Sequence, residues 1–145
     1  MKKILIVNGP NLNLLGTREP EIYKTSWDLK KLEEELKKEA HSNSAEIVFF
    51  QSNSEAELIE FIQKEAMDAD GLIINPGGLT HTSVSLRDAI LATKIKTVEV
   101  HISNIFKREE FRKTSYFSDI SEGVITGLGI SGYFFALDFF IKNKF

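Results

Sequence analysis

The sequence predicts an α/β protein built on a five-stranded parallel sheet with helices on both faces. Two observations carry that reading. Short apolar runs rich in β-branched residues recur at 4–7, 47–50, 72–74, 98–100 and 124–126, too short for helices and apolar on both faces. Between them the apolar residues take helical spacing: Leu29, Leu32, Leu36 and Ala40 in a first helix, then Leu58, Phe61, Ile62 and Ala66 in a second. Ser54 and Glu57 form a capping box at the start of that second helix. A third helix is expected over about 83–93, and a last one follows Gly132 with Phe134, Phe135, Leu137, Phe139 and Phe140. Strand and helix alternate throughout, the order of a flavodoxin-like three-layer sandwich.

A chain of 145 residues without linker, repeat or low-complexity tract reads as one domain, 1–145. Its formal charge of −3 sets up no long-range attraction for nucleic acid or an anionic membrane, so an acidic ligand must be caught by local basic groups. The absence of cysteine removes disulfides, thiolate nucleophiles and thiolate metal sites. After Met1, Lys2 and Lys3 only four apolar residues precede Asn8, Gly9 and Pro10, so no signal peptide is read, and no apolar run reaches transmembrane length. The expected location is cytoplasmic. The last helix is apolar nearly all round from Tyr133 to Ile141, more than one sheet face can bury, which predicts a subunit interface.

In such a sheet ligands bind beyond the carboxyl ends of the strands. Those ends are strongly polar here. The first runs through Asn8, Gly9, Pro10, Asn11, Leu12 and Asn13 into a loop holding Arg18 and Tyr23; the second ends in Gln51, Ser52 and Asn53. The third ends in Asn75, Pro76, Gly77 and Gly78 ahead of His81, and the fourth carries Glu99, His101, Ile102, Ser103 and Asn104. Period two along a strand puts Glu99 and His101 on one side, where a carboxylate can orient an imidazole or raise its pKa; equally, the two can simply satisfy each other. Tyr23 can be a packing residue, or a base if Arg18 lowers a phenol pKa that is ordinarily about 10. Arg112 is either an exposed charge or a hand reaching back to an oxygen-rich ligand.

Other signals point elsewhere. The run Gly127, Leu128, Gly129, Ile130, Ser131, Gly132 matches G-x-G-x-x-G, but the thirteen residues beyond it hold neither the βαβ unit nor the acidic residue of a dinucleotide site. These glycines are expected to permit tight strand-to-helix packing. His81, Glu99 and His101 have the composition of a two-histidine, one-carboxylate metal triad, although no metal motif contains them and Arg18 and Arg112 would repel a cation. A receiver module would need aspartates where Asn8 and Asn75 stand.

The stretches just quoted, with Thr80-His81-Thr82-Ser83, Leu86-Arg87-Asp88-Ala89, Arg108-Glu109-Glu110-Phe111-Arg112 and Gly132-Tyr133, resemble the type II 3-dehydroquinate dehydratases over essentially the whole chain. That resemblance implies an anti elimination of water from 3-dehydroquinate through an enolate, without cofactor or metal. It implies Tyr23 as base with Arg18 holding it as phenolate, Asn11 stabilising the enolate oxygen through water, and His101 as acid oriented by Glu99. Asn75, His81 and Arg112 would hold ring hydroxyls, and Ile102 and Ser103 the carboxylate. Asp88 would come from a neighbouring subunit of a dodecamer built from trimers. Lys24 departs from the pattern where glycine is usual, which predicts altered lid kinetics.

Overall fold

The computed structural model describes residues 1–17, 20–23 and 25–143, and their side chains apart from those of Pro20 and Tyr23. Five strands, β1 (Lys2–Asn8), β2 (Ala45–Gln51), β3 (Gly71–Asn75), β4 (Thr97–His101) and β5 (Gly123–Thr126), form one sheet in the order β2-β1-β3-β4-β5. Every neighbouring pair is parallel. The helices are α1 (Pro20–Tyr23), α2 (Leu29–Ser42), α3 (Glu55–Glu65), α4 (Val84–Thr93) and α5 (Ser131–Lys142).

The pleat of β1 shows why the strand runs are apolar throughout. Ile4 and Ile6 face one way, into a core shared with Leu32 and Leu36 of α2 and Tyr133, Leu137 and Phe140 of α5. Leu5 and Val7 face the other, into a core with Leu58 and Ile62 of α3 and Leu86 and Ile90 of α4. A strand buried on both sides has no polar face to alternate with, and the three-layer expectation holds.

Capping fixes three helix starts. Asp28 accepts the Lys31 amide at 2.8 Å ahead of α2, and Ser83 accepts the Leu86 amide at 3.0 Å ahead of α4. At α3 Ser54 Oγ accepts the Glu57 amide at 3.3 Å, but the return half of the expected box is relayed. The Ser54 amide donates to Ser52 Oγ at 2.9 Å, and Ser52 Oγ donates to Glu57 Oε2 at 2.5 Å. Ser52 therefore occupies the position that a direct Glu57 contact would take.

On α5 most of the apolar surface is consumed within the chain. Tyr133, Ala136, Leu137 and Phe140 are buried, Phe134, Phe139 and Ile141 pack against the same core, and Phe135 is exposed. The apolar face left over is thus narrower than the sequence suggests; Val124 and Leu128, outside α5, are also exposed. Among the described residues no helix is long and apolar enough to cross a membrane.

From β1 the chain passes to β2 on one side and later to β3 on the other, so the strand order reverses between β1 and β3. The crevice of such a sheet lies at that reversal. Asn8 pairs in register with Asn75 across it.

Candidate active site

The loops after β1 and β3 meet with no spare space. The Gly9 amide donates to the Asn75 carbonyl at 2.8 Å, and a Cβ on Gly9 would stand 2.2 Å from the Pro76 carbonyl oxygen. Beyond Gly9, Asn11 adopts a left-handed conformation with φ 71°. Its amide donates to Asn53 Oδ1 at 2.9 Å, and Gln51 Nε2 donates to the same oxygen at 3.2 Å and to the Gly9 carbonyl at 3.1 Å. Gln51 at the end of β2 and Asn53 just beyond it thereby set the Asn11 backbone at the crevice.

A pocket of about 140 Å³ opens there, lined among others by Asn11, Asn75, His81, His101, Ser103 and Arg112. Leu12, Gly77, Gly78, Ile102, Ile105 and Arg108 complete its wall. A wider cleft of about 590 Å³ shares Ile102, Ser103 and Arg108 and is bordered by Glu21 and Ile22 of α1, so the short helix that ends at Tyr23 adjoins the site. Arg18, Lys24 and the side chain of Tyr23 lie outside the described residues. Asp88 is exposed on α4 and is not among the residues lining the pocket.

Glu99 and His101 sit two residues apart on β4, on the same side as the strand period requires. His101 Nε2 donates to Glu99 Oε2, which leaves Nδ1 as the ring nitrogen free to meet a ligand. Glu99 is fully buried, and burial alone would push its pKa up. The hydrogen bond and charge of His101 and the hydroxyls of Ser118 and Ser115 outweigh burial and hold it below the usual carboxylate value. The carboxylate is therefore ionised beside the imidazole.

His81 is oriented from behind, its Nδ1 donating to the Thr114 carbonyl at 2.7 Å. Burial, opposed by that bond and reinforced by the charges of His101 and Arg112, lowers its pKa below 6.5. A neutral His81 so held presents Nε2 as an acceptor. Arg112 Nε donates to both oxygens of Glu109 at 3.2 Å, and its guanidinium lies 5.0 Å over the Phe111 ring. Asn75 Nδ2 donates to the Tyr133 hydroxyl at 2.9 Å, and Asn75 Oδ1 accepts the Gly77 amide at 3.2 Å. Arg108 Nη1 donates to Ser103 Oγ at 3.2 Å.

The structure thus gathers Asn11, Asn75, His81, Glu99, His101, Ile102, Ser103 and Arg112 at one crevice. Among the described residues no group of three or more histidine, aspartate or glutamate side chains is placed so that it could hold a metal ion. The sequence reading gave no site role to Ile105 and Arg108 in the wall, or to Ser115 and Ser118 behind Glu99.

A sequence model of the family described as Dehydroquinase class II matches residues 2–141. The chain belongs to the class II dehydroquinase family. Among its relatives in this family, a 3-dehydroquinate dehydratase of Pasteurella multocida is 55% identical over 142 residues, which are 98% of this chain and 95% of that protein. The crystal structure of a type II dehydroquinase from Butyrivibrio crossotus matches with a TM-score of 0.92 at 42% identity, covering 96% of this chain and 97% of that one. A type II dehydroquinase from Propionibacterium acnes gives a TM-score of 0.93 at 37% identity over 99% and 98%. A class II dehydroquinase is a hydro-lyase.

Proposed function

We propose that the pocket converts 3-dehydroquinate into 3-dehydroshikimate by anti elimination, with Tyr23 as base and His101 as acid. Tyr23 takes a proton from the carbon alpha to the ketone, and the electron pair moves onto the carbonyl oxygen as an enolate. Asn11 steadies that oxygen through an ordered water. As the carbonyl re-forms, the adjacent carbon–oxygen bond breaks, and the hydroxyl leaves as water with the proton from His101. The observation that carries this reading is the buried, ionised Glu99 bonded to His101 at the edge of a pocket whose polar lining is Asn11, Asn75, His81, Ser103, Arg108 and Arg112.

Arg18 holds Tyr23 as phenolate; Asn75, His81 and Arg112 bind ring hydroxyls; Ile102 and Ser103 bind the carboxylate. The step needs no cofactor. Asp88 enters the site of a neighbouring subunit, in a dodecamer built from trimers that uses the exposed apolar surface around Phe135, Val124 and Leu128. The enzyme works in the cytoplasm, in the shikimate pathway to aromatic amino acids.

The test is the ultraviolet absorbance of the conjugated enone when chelator-treated protein meets 3-dehydroquinate. Turnover without metal is expected. Tyr23→Phe and His101→Ala should each abolish most turnover while leaving ligand binding largely intact, and native rates in either variant overturn the assigned roles. Turnover that returns only on adding iron or zinc overturns the metal-free mechanism.

A further inference from the structure

The loop at 115–119 is held in place by contacts away from the pocket. Phe117 is fully buried in the core under α3 and α4. Arg87 of α4 donates to the Tyr116 carbonyl at 2.9 Å and pairs with Asp119 at 2.5 and 2.9 Å through its two terminal nitrogens. The Tyr116 amide donates to the Thr80 carbonyl at 2.9 Å. Neither Ser115 nor Ser118 lines the pocket, yet both hydroxyls point at Glu99.

Their geometry leaves little choice of partner. Ser115 Oγ accepts the amides of Phe117 at 3.0 Å and Ser118 at 3.2 Å, so its lone pairs are engaged and its single proton goes to Glu99 Oε2 at 2.8 Å. Ser118 Oγ donates to Glu99 Oε1 at 2.6 Å. The two carboxylate oxygens are thereby made distinct: Oε1 belongs to Ser118, while Oε2 is shared by Ser115 and His101.

We propose that Ser115 and Ser118 are positioning residues for the elimination, clamping Glu99 so that the His101 imidazole is held with Nδ1 toward the substrate. This rests on the reading of His101 as the acid. The other charged or titratable groups facing the pocket among the described residues are His81, Arg108 and Arg112. Glu99 accepts from Ser115, Ser118 and His101, whereas His81 donates to the Thr114 carbonyl, Arg108 to Ser103 and Arg112 to Glu109.

Fewer donors on the carboxylate raise the pKa of Glu99, because the hydroxyls of Ser118 and Ser115 help to hold its anion. Two effects follow. The carboxylate orients the His101 imidazole less firmly, so the leaving hydroxyl is protonated more slowly. The limb of the pH profile that Glu99 governs moves to higher pH.

The experiment measures kcat, KM and the pH profile of kcat for Ser118→Ala, Ser115→Ala and the double variant, with thermal unfolding as a check on folding. The double variant should lose about tenfold or more in kcat, change KM by no more than about twofold, and show the Glu99 limb of its profile shifted upward by about half a pH unit or more. Ser118→Thr, which keeps the hydroxyl, should restore most of the loss in Ser118→Ala. Should the double variant not fold, Ser118→Ala, which retains the turn built on Ser115, carries the test alone. Folded variants with native kcat and an unmoved profile overturn the proposal, as does a kcat loss with an unmoved profile that threonine fails to restore. A His101→Ala control separates the failures. An active control overturns the acid assignment and the clamp with it, whereas an inactive control beside native-like serine variants overturns the clamp alone.

Discussion

Asn75 Nδ2 donates to the Tyr133 hydroxyl at 2.9 Å, tying a side chain of the pocket wall to the first turn of α5. The hydroxyl passes its own proton to Asn8 Oδ1 at 2.6 Å, so three fully or nearly buried side chains form one chain across the β1–β3 reversal. Because Tyr133 accepts from Asn75, the Asn75 amide is fixed with its nitrogen toward the hydroxyl and its oxygen on the Gly77 amide.

Tyr133→Phe removes one atom and leaves two buried amides short of a partner. The expected cost is roughly 1–3 kcal/mol, because an unsatisfied buried polar group loses its full desolvation energy. Substrate affinity should fall as Asn75 loses its orientation, with kcat little changed. Thermal unfolding and steady-state kinetics check both; a loss confined to kcat would place Asn75 on the transition state instead.

His81 predicts a pH dependence of binding. Its pKa is depressed chiefly by burial, so the unfolded chain takes up a proton before the folded one does. The contribution to stability from a neutral His81 is therefore present above the unfolded value of 6.5 and is lost as pH falls below it. Binding follows the same sign, because protonation turns Nε2 from acceptor into donor. KM should rise as pH is lowered within about pH 5 to 8, and His81→Asn should flatten that rise. An identical slope in the variant would assign the titration to another group.

The sheet was legible because its central strands β1, β3 and β4 are buried on both faces, as β1 shows by dividing Ile4 and Ile6 from Leu5 and Val7. Glu99 and His101 were legible for a related reason: period two alone places them together. The serines behind them were not. Ser115 lies 16 residues from Glu99, and only the anchoring of its loop by Arg87 and Phe117 brings the two together. Tyr133 and Asn8 are 125 residues apart, joined by the packing of α5 on the sheet. The capping box failed in its return half because Ser52, two residues upstream of Ser54, competes for Glu57. Pattern reading finds partners on one element and misses those that tertiary packing delivers.

Gly9 tests how tightly the two loops must meet. Gly9→Ala puts a methyl group 2.2 Å from the Pro76 carbonyl oxygen, a backbone atom that cannot rotate away. The loops must separate, at a cost at the upper end of the usual overpacking penalty of about 1–3 kcal/mol. Asn11 and Asn75 should then diverge, so that stability and substrate affinity fall together. A variant as stable as the native chain, with unchanged KM, would mean that the crevice tolerates a wider mouth.

Arg112 is the cation whose role is most readily divided between binding and chemistry. Glu109 accepts from its Nε and the Phe111 ring lies beneath the guanidinium, which holds the side chain against the pocket wall. If it grips a ring hydroxyl that does not change charge during the reaction, the contact is equally strong in ground and transition states. Arg112→Ala should then raise KM by about tenfold or more, the loss of a charged hydrogen bond, with kcat within a few-fold of native. Arg112→Lys should recover little of this, since an ammonium keeps the charge but loses the planar fork and the stacking on Phe111. A deficit appearing in kcat with KM unchanged would instead mean that the guanidinium answers charge developing on the departing oxygen or the enolate, and Arg112 would join His101 as a catalytic residue.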